Sequence, residues 1–355
     1  MSVHKPVLLK EIIELLNIKP SMIVVDATFG GGGHAREILK KIGKKGILIG
    51  IDADIKAIEN FAEFPISNFQ STSSADRFPN NFQIPIYKKE NIFLVNSNFN
   101  NLETILEAIG IEKVDAILAD LGWSSDQLIG KGMSFQEDEE IDMRLSLRIT
   151  NQYECTNNNK NAKDIVNEYS EEELGKIIRE YGEEKFWKNI ARKIIAYRKD
   201  KKIETTKELA EIISSAIPER FKNFKLNPAT RTFQALRIEV NKELENLEKF
   251  ISQAIDRLNS GGRLAIISFH SLEDRIVKDS FRENARGCIC PPDFPKCVCG
   301  KKPKVVIITR KPIVPTDLEV SDNPRSRSAK LRVCEVLRTT SLASTKRLRE
   351  SRRAK

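Results

Sequence analysis

The sequence predicts an α/β fold, a parallel doubly wound sheet that is interrupted by an all-helical insertion and then completed. Three observations carry this. Short apolar runs at 22–25, 47–51, 92–95 and 114–119 alternate with helical stripes, the rhythm of parallel strands joined by crossover helices. Between 161 and 217 that rhythm gives way to helix alone, and strand texture returns at 263–268.

The first run ends at Asp26 and leads through a glycine run into a helix over about 34–41, with Ala35, Ile38 and Leu39 on one face. The second ends at Asp52, and Ala57, Ile58 and Phe61 mark the helix after it. Residues 65–91, rich in Ser, Asn, Pro and Phe without a period, are expected to form a long surface excursion. The third and fourth runs flank a stripe of Leu102, Ile105, Leu106 and Ile109. In the insertion, Ser170 and Glu173 form a capping box at the start of a helix. Phe186, Ile190 and Ile194 make one further stripe, and Leu209, Ile212 and Ile213 another. A helix from about 239 is expected to stop at Gly261-Gly262, and 305–308 and 331–337 to add the last strands. The expected boundaries are 1–134 for the first part of the sheet domain, 135–225 for the helical insertion, 226–337 for the second part and 338–355 for a basic tail without regular structure.

A chain of 355 residues that is 40% hydrophobic and 31% charged can bury a proper core, which excludes a disordered protein. No apolar run approaches the ~18 residues needed to span a bilayer, and charges interrupt the apolar start, so neither a membrane role nor a secretory signal is expected. Six cysteines are too few for a disulfide scaffold, which points to the reducing cytoplasm. The net charge is +9, and residues 338–355, with seven basic residues and one acid, supply +6 of it. A solvated terminus explains that arm as well as contact with nucleic-acid phosphates does.

The stretch Val24-Val-Asp26-Ala-Thr-Phe-Gly30-Gly-Gly-Gly33-His34-Ala35 places glycines at a strand-to-helix turn, where backbone can approach a ligand. Asp52, at the end of the next strand, stands where an acid accepts hydrogen bonds from ribose hydroxyls. This arrangement serves nicotinamide dinucleotides and S-adenosylmethionine alike. Asp26 separates them: a carboxylate in the loop repels a pyrophosphate but attracts the ammonium and sulfonium of S-adenosylmethionine. Asp120-Leu-Gly-Trp123 begins at the tip of the fourth strand and partly matches the Asp-Pro-Pro-Tyr pattern of enzymes that methylate exocyclic amines. An acceptor such as Asp120 restrains an amine N–H and stabilises the positive charge that develops on it, making Asp120 the candidate catalytic residue.

Longer stretches carry a resemblance. His4-Lys-Pro-Val-Leu-Leu-Lys-Glu11, Asp26-Ala-Thr-Phe-Gly-Gly-Gly-Gly-His34, Gly132-Met-Ser-Phe135 with Ile141-Asp-Met-Arg144, Asn227-Pro-Ala-Thr-Arg-Thr-Phe-Gln-Ala-Leu-Arg237, Ser268-Phe-His-Ser-Leu-Glu-Asp-Arg-Ile-Val-Lys278 and Asn323-Pro-Arg-Ser-Arg-Ser328 resemble the bacterial ribosomal RNA small-subunit methyltransferase H family. The resemblance implies a Rossmann-like class I S-adenosylmethionine-dependent methyltransferase sheet interrupted by a helical substrate-recognition domain. It implies N4-methylation of a specific cytidine in the decoding region of 16S ribosomal RNA, with the small ribosomal subunit as partner. It places cofactor contacts on Gly32, Gly33, His34, Asp52, Phe99, Asp120 and Gln127. Trp123 departs from the family pattern, which has a small aliphatic residue there, and 136–140 is more acidic than usual. Oligomeric state is not legible, a homodimer being one option.

His270, at the end of the fifth strand, is read first as a structural hydrogen-bonding histidine and second as a proton acceptor. Glu273 and Asp274 are expected to cap the next helix. Arg231, Arg237, Arg325 and Arg327 are candidates for RNA phosphate contacts, with ordinary solvated arginines as the alternative. Cys288, Cys290, Cys297 and Cys299 form two Cys-x-Cys pairs suited to a structural zinc ion, although that spacing is less diagnostic than Cys-x-x-Cys. Cys155 and Cys334 read as ordinary thiols.

Overall fold

The computed structural model describes residues 6–59, 61, 70–73, 84–122, 130–134, 137–145, 160–222, 227–291, 294, 296 and 298–338. Its strands are β1 (Ile23–Asp26), β2 (Ile47–Asp52), β3 (Gln70–Ser73), β4 (Pro85–Lys89), β5 (Ile92–Asn96), β6 (Val114–Asp120), β7 (Leu258–Ser268), β8 (Val305–Ile307) and β9 (Lys330–Val336). They form one sheet in the order β3-β4-β5-β2-β1-β6-β7-β9-β8. The central strands β5, β2, β1, β6 and β7 are parallel, whereas β4 and β9 pair antiparallel with their neighbours. The chain builds outward from β1 through β2 to β5, then crosses back to start β6 beside β1. Open α/β sheets hold ligands at such a switch point, outside the carboxyl ends of the strands.

The central strands are apolar on both faces because helices cover both. On one face, Ile12 of α1 (Leu9–Leu15), Ile38 and Ile42 of α2 (Gly33–Ile42) and Ile58 of α3 (Ile55–Glu59) pack with Val24, Leu48 and Leu94. On the other, α4 (Leu102–Ile109), the later helix Glu243–Arg257 and the helix Ser271–Ala285 bring Leu106, Phe250 and Phe281 onto Val25, Ile49 and Ile117. All of these side chains are essentially inaccessible, and each contributes about 1.5–3 kcal/mol by leaving water.

A separate apolar cluster lies in the helices α5 (Ala162–Glu168), α6 (Glu171–Glu180), α7 (Trp187–Arg198), α8 (Thr206–Ala216) and α9 (Thr230–Asn241), around Leu174, Ile190, Ile213 and Phe233. The Ser170 capping box forms: its hydroxyl accepts from Glu173 N–H while the Glu173 carboxylate accepts from Ser170 N–H. Asn161 and Asp164 make a second one. Among the described residues no helix is long and apolar enough to cross a membrane.

Three expectations change. Within 65–91, the segments 70–73 and 85–89 are the strands β3 and β4, which extend the sheet edge as an antiparallel hairpin on β5. The helix expected from 239 is two helices, α9 and α10 (Glu243–Arg257), broken at Lys242, whose φ is 51°. That helix stops at Arg257 rather than at the glycine pair, which lies inside β7. Gly261 adopts φ 82° there, and the register with β6 shifts between Val114 and Ala116. A strand irregularity that needs positive φ uses glycine for the same reason a helix stop does, so composition alone does not tell them apart.

Candidate active site at the strand tips

Three neighbouring parallel strands, β2, β1 and β6, each end on an aspartate: Asp52, Asp26 and Asp120. Parallel strands in register bring their last residues to one edge, so three acids far apart in sequence become neighbours. All three are at least nine-tenths buried. The loop after β1 ties them together. Thr28 N–H donates to Asp26 Oδ1 (3.4 Å), Gly30 N–H to Asp52 Oδ2 (2.7 Å), and Asp120 N–H to Thr28 Oγ1 (2.6 Å). Asp52 Oδ1 also accepts from Asp54 N–H (2.8 Å).

Burial pushes the Asp26 carboxyl up to about 7, with the nearby Asp120 and Asp52 charges adding to it against the Thr28 hydrogen bond. Burial likewise lifts Asp52 to about 6, opposed by the Asp54 and Gly30 hydrogen bonds and by Lys131. Asp26 Oδ2 is buried and has no hydrogen-bond partner among the described residues. A buried acceptor left unpaired beside two more carboxylates is an arrangement that a cation relieves.

A cleft of about 780 Å³, its open mouth included, lies above these tips. Its walls include Thr28, Gly30, Asp52, Phe99, Asp120 and Leu121 from the first half of the sheet, and Asn241, Glu243, Asn246 and Glu273 from the second. Phe99 enters from the turn after β5, its ring held edge-on against Phe250 at 5.1 Å. Asn96 fixes the backbone below it by donating to the Asp52 and Ala53 carbonyls.

Of the expected site residues, the structure brings Asp52, Phe99 and Asp120 together in the cleft. Gly32, Gly33 and His34 stand behind its glycine loop, and Gly30 is the loop glycine on the wall. A Cβ on Gly32 would lie 2.2 Å from the Phe61 ring, and one on Gly33 3.2 Å from Pro6. The His34 Nε2 hydrogen bonds to the Val7 carbonyl (3.0 Å), and a carbonyl only accepts, so this nitrogen carries the proton. His34 Nδ1 is 4.0 Å from Asp120 Oδ2. Asp26 is roofed over rather than on the wall, so it does not frame the pocket directly as the sequence suggests. Gln127 and Trp123 lie outside the described residues.

Gly32 (φ 72°) thus has a packing role, and Gly32→Ala is expected to destabilise the fold by roughly 2–5 kcal/mol through backbone strain and collision with Phe61. Gly31, where a Cβ meets nothing within 4 Å, is the control, and Gly31→Ala should leave the urea midpoint nearly unchanged. Equal midpoints for the two variants would contradict this role.

His270 is the N-cap of α11 (Ser271–Ala285), where Nδ1 accepts from Glu273 N–H (3.4 Å), the structural role read first from the sequence. Its Nε2 is 3.1 Å from Glu273 Oε1 but off the hydrogen-bond direction. Glu273 caps as expected. Asp274 does not: it is taken up by Arg332 at 2.6 and 3.2 Å. Nor is Arg237 presented to an RNA backbone, because its Nε and Nη2 donate to the two carboxylate oxygens of Glu243, at 2.8 and 3.0 Å. Arg231, Arg325 and Arg327 are exposed.

The sequence agrees with this geometry over nearly its whole length. A model of the MraW methylase family matches residues 1–337. The chain belongs to the MraW methylase family. Ribosomal RNA small subunit methyltransferase H of Clostridium botulinum (strain Kyoto / Type A2) is 50% identical over 333 residues, 93% of this chain and 98% of that protein. The protein of the same name from Lachnospira eligens is 50% identical over 334 residues, 94% of this chain and 97% of its own. The one from Clostridioides difficile (strain 630) is 47% identical over 334 residues, 94% and 98%. A solved structure, a putative rRNA-methylase from Clostridium thermocellum, aligns over 95% of this chain and 100% of its own at 11% identity and a TM-score of 0.39, too distant to add to the assignment.

Sequence reasoning missed the far wall of this MraW-family cleft. Asn241 accepts from Leu145 N–H and donates to the Met143 and Arg237 carbonyls, which ties the Ile141–Arg144 stretch to the end of α9. Asn246 accepts from Asn100 Nδ2 (2.6 Å) and so joins α10 to the turn carrying Phe99. The signal available was Lys242, where an αL residue breaks a helical pattern and turns the first residues of α10 toward the cleft, but nothing in a lysine announces positive φ.

Proposed function

We propose that this MraW-family methylase transfers a methyl group from S-adenosylmethionine to the exocyclic N4 of a specific cytidine in the decoding region of 16S ribosomal RNA. The observation that carries the reading is the meeting of Asp26, Asp52 and Asp120 at three adjacent strand tips beneath one cleft, with a buried carboxylate oxygen left unpaired. That donor set suits a cationic cofactor and is hostile to a pyrophosphate. The names of the half-identical relatives supply the ribosomal RNA and its subunit.

S-adenosylmethionine, when bound, supplies a methyl group on a positively charged sulfur. Asp52 keeps lone pairs beyond those used by Gly30 and Asp54, and in this reading it accepts from the ribose hydroxyls while Phe99 packs on the adenine. The negative field of Asp26 and Asp120 favours the cofactor's positive charges, with Gly32, Gly33 and His34 supporting the loop after β1 and with Gln127 as a further cofactor contact by the family resemblance. Asp120 accepts an N–H of the incoming amine, fixes its lone pair toward the methyl group and stabilises the charge that appears on nitrogen. A carboxylate is also the usual acceptor for the cytosine N4 amine. The target base has to leave its stack to reach this depth. The helical unit, 135–225, is then the part that meets RNA beyond the reacting base.

Small ribosomal subunits lacking the modification, incubated with the protein and methyl-labelled S-adenosylmethionine, should acquire label on one cytidine N4. Label on another atom would overturn the N4 assignment, and no transfer by the wild type would leave a binding protein instead of an enzyme.

The stability of the cofactor-free protein is expected to depend on pH through Asp26. Between the ordinary 3.8 and about 7, the folded cofactor-free chain holds a proton on Asp26 that the unfolded chain has released. The stability this contributes is complete below the lower value and is lost as pH rises through the upper one, at about 1.4 kcal/mol per pH unit. Asp26→Asn should therefore stabilise the cofactor-free protein more at pH 8 than at pH 5, as measured by urea unfolding. A stability difference independent of pH would contradict the raised value.

A further inference from the structure

The loop between α11 and β8 contains Cys288, Cys290 and Cys299, none of which lines the cleft. Their sulfur atoms all lie within 4.8 Å of one another. Cys288 Sγ and Cys299 Sγ are 3.8 Å apart. Zinc–thiolate bonds of about 2.3 Å in a tetrahedron place neighbouring sulfurs about 3.8 Å apart, whereas a disulfide needs about 2.05 Å. We propose that this loop is a zinc knuckle, in which Cys288, Cys290 and Cys299 hold one structural Zn²⁺ through their thiolates.

Two further features fit a metal and little else. Backbone amides point at the sulfurs from both halves of the loop: Ile289 N–H donates to Cys299 Sγ and Val298 N–H to Cys290 Sγ, each at 3.4 Å. Sulfur is a poor acceptor as a thiol, but a metal-bound thiolate carries the charge that such donors stabilise. The two bonds cross between the halves of the loop, so each half positions the other half's ligand. Among its described residues the loop also has no apolar core of its own. Ile289, Phe294 and Val298 are 48%, 51% and 74% exposed. A connection whose described residues form no helix or strand needs another source of order, and a metal clip supplies one. Its base is closed independently, by Lys304 N–H donating to the Asn284 carbonyl (2.8 Å) and by the Lys301–Glu283 ion pair.

The sequence contains one more thiol beside these, Cys297, two residues before Cys299 and outside the described residues. The proposal stands on the three described ligands. Binding displaces a proton from each thiol, so zinc retention should weaken as pH falls.

The test is zinc content of the full chain, purified under reducing conditions without chelator and measured by plasma mass spectrometry. About one zinc per chain is expected, falling at least tenfold in Cys288→Ser and in Cys290→Ser. Because the loop lies outside both sheet cores, circular dichroism of the variants should stay that of the wild type. Cobalt(II) exchanged into the wild type should give intense visible bands of a tetrahedral thiolate site, absent from both variants. Removing zinc should also speed tryptic cleavage at the exposed Lys296 severalfold. Wild-type protein retaining no more zinc than the two variants, or peptide mapping that finds these cysteines joined as disulfides in the same preparation, would overturn the proposal.

Discussion

Asp120→Ala is expected to reduce methyl transfer by about 10²- to 10³-fold, the usual effect of removing one group aimed at charge that develops in a transition state. The fold should survive. The part of Asp120 that holds the strand tip is its backbone N–H on Thr28 Oγ1, which alanine keeps. Its carboxylate instead sits 3.3 Å from Gly122 N–H and within reach of the Asp26 charge, so its loss relieves repulsion in the cofactor-free protein. Asp120→Asn should fall between wild type and alanine, since an amide oxygen still accepts the amine N–H without offering a full charge. The decisive measurement is single-turnover transfer at saturating cofactor, which separates chemistry from binding. A rate for Asp120→Ala within threefold of the wild type would remove Asp120 from the reaction.

Asp52→Ala should act on binding more than on chemistry. Two hydrogen bonds to a charged acceptor, each worth about 1.5 kcal/mol, translate into roughly a hundredfold loss of S-adenosylhomocysteine affinity. The same carboxylate accepts from Gly30 and Asp54, so the loops after β1 and β2 lose a shared anchor and some of the effect will come from their disorganisation. Asp52→Asn is a sharper probe than it looks. Its amide would present a donor to either Gly30 N–H or Asp54 N–H, leaving one of them facing another donor, so asparagine should rescue little. Calorimetric titration reads both variants; unchanged affinity in Asp52→Ala would mean that the cofactor does not reach this acid. Affinity in the wild type should also rise with pH through the range in which Asp52 loses its proton, about 6 in the cofactor-free protein, because hydroxyl donors favour the ionised acceptor.

Which parts of the molecule were legible beforehand follows from how local each signal is. Val24, Ile49, Leu94 and Ile117 sit in short runs flanked by turn residues, and a buried parallel strand has to look like that. Ser170 and Glu173 satisfy one another three residues apart, so the capping box needed no tertiary information. The hairpin of β3 and β4 had no such signature. Its strands are short and lie at the sheet edge, where β3 pairs with β4 and β4 alone joins the hairpin to β5, and their composition resembles a loop. In the sequence Gly261 resembles a helix stop, because the freedom that ends a helix also permits the irregularity in β7.

The sequence by itself determined the alternation of strands and helices, the all-helical interruption, and the placing of Asp26, Asp52 and Asp120 at strand ends. Each of these depends on residues within a few positions of one another. Only the tertiary structure decided that Asp26 lies beneath the cleft while Asp52 and Asp120 face it, that His34 is spent on Val7, and that Arg237 is held by Glu243. It also closed the cleft with Asn241 and Asn246, more than a hundred residues after Asp120. A side chain's partner is whatever the packed sheet and its covering helices bring opposite it, and that proximity is created by folding and not by spacing along the chain.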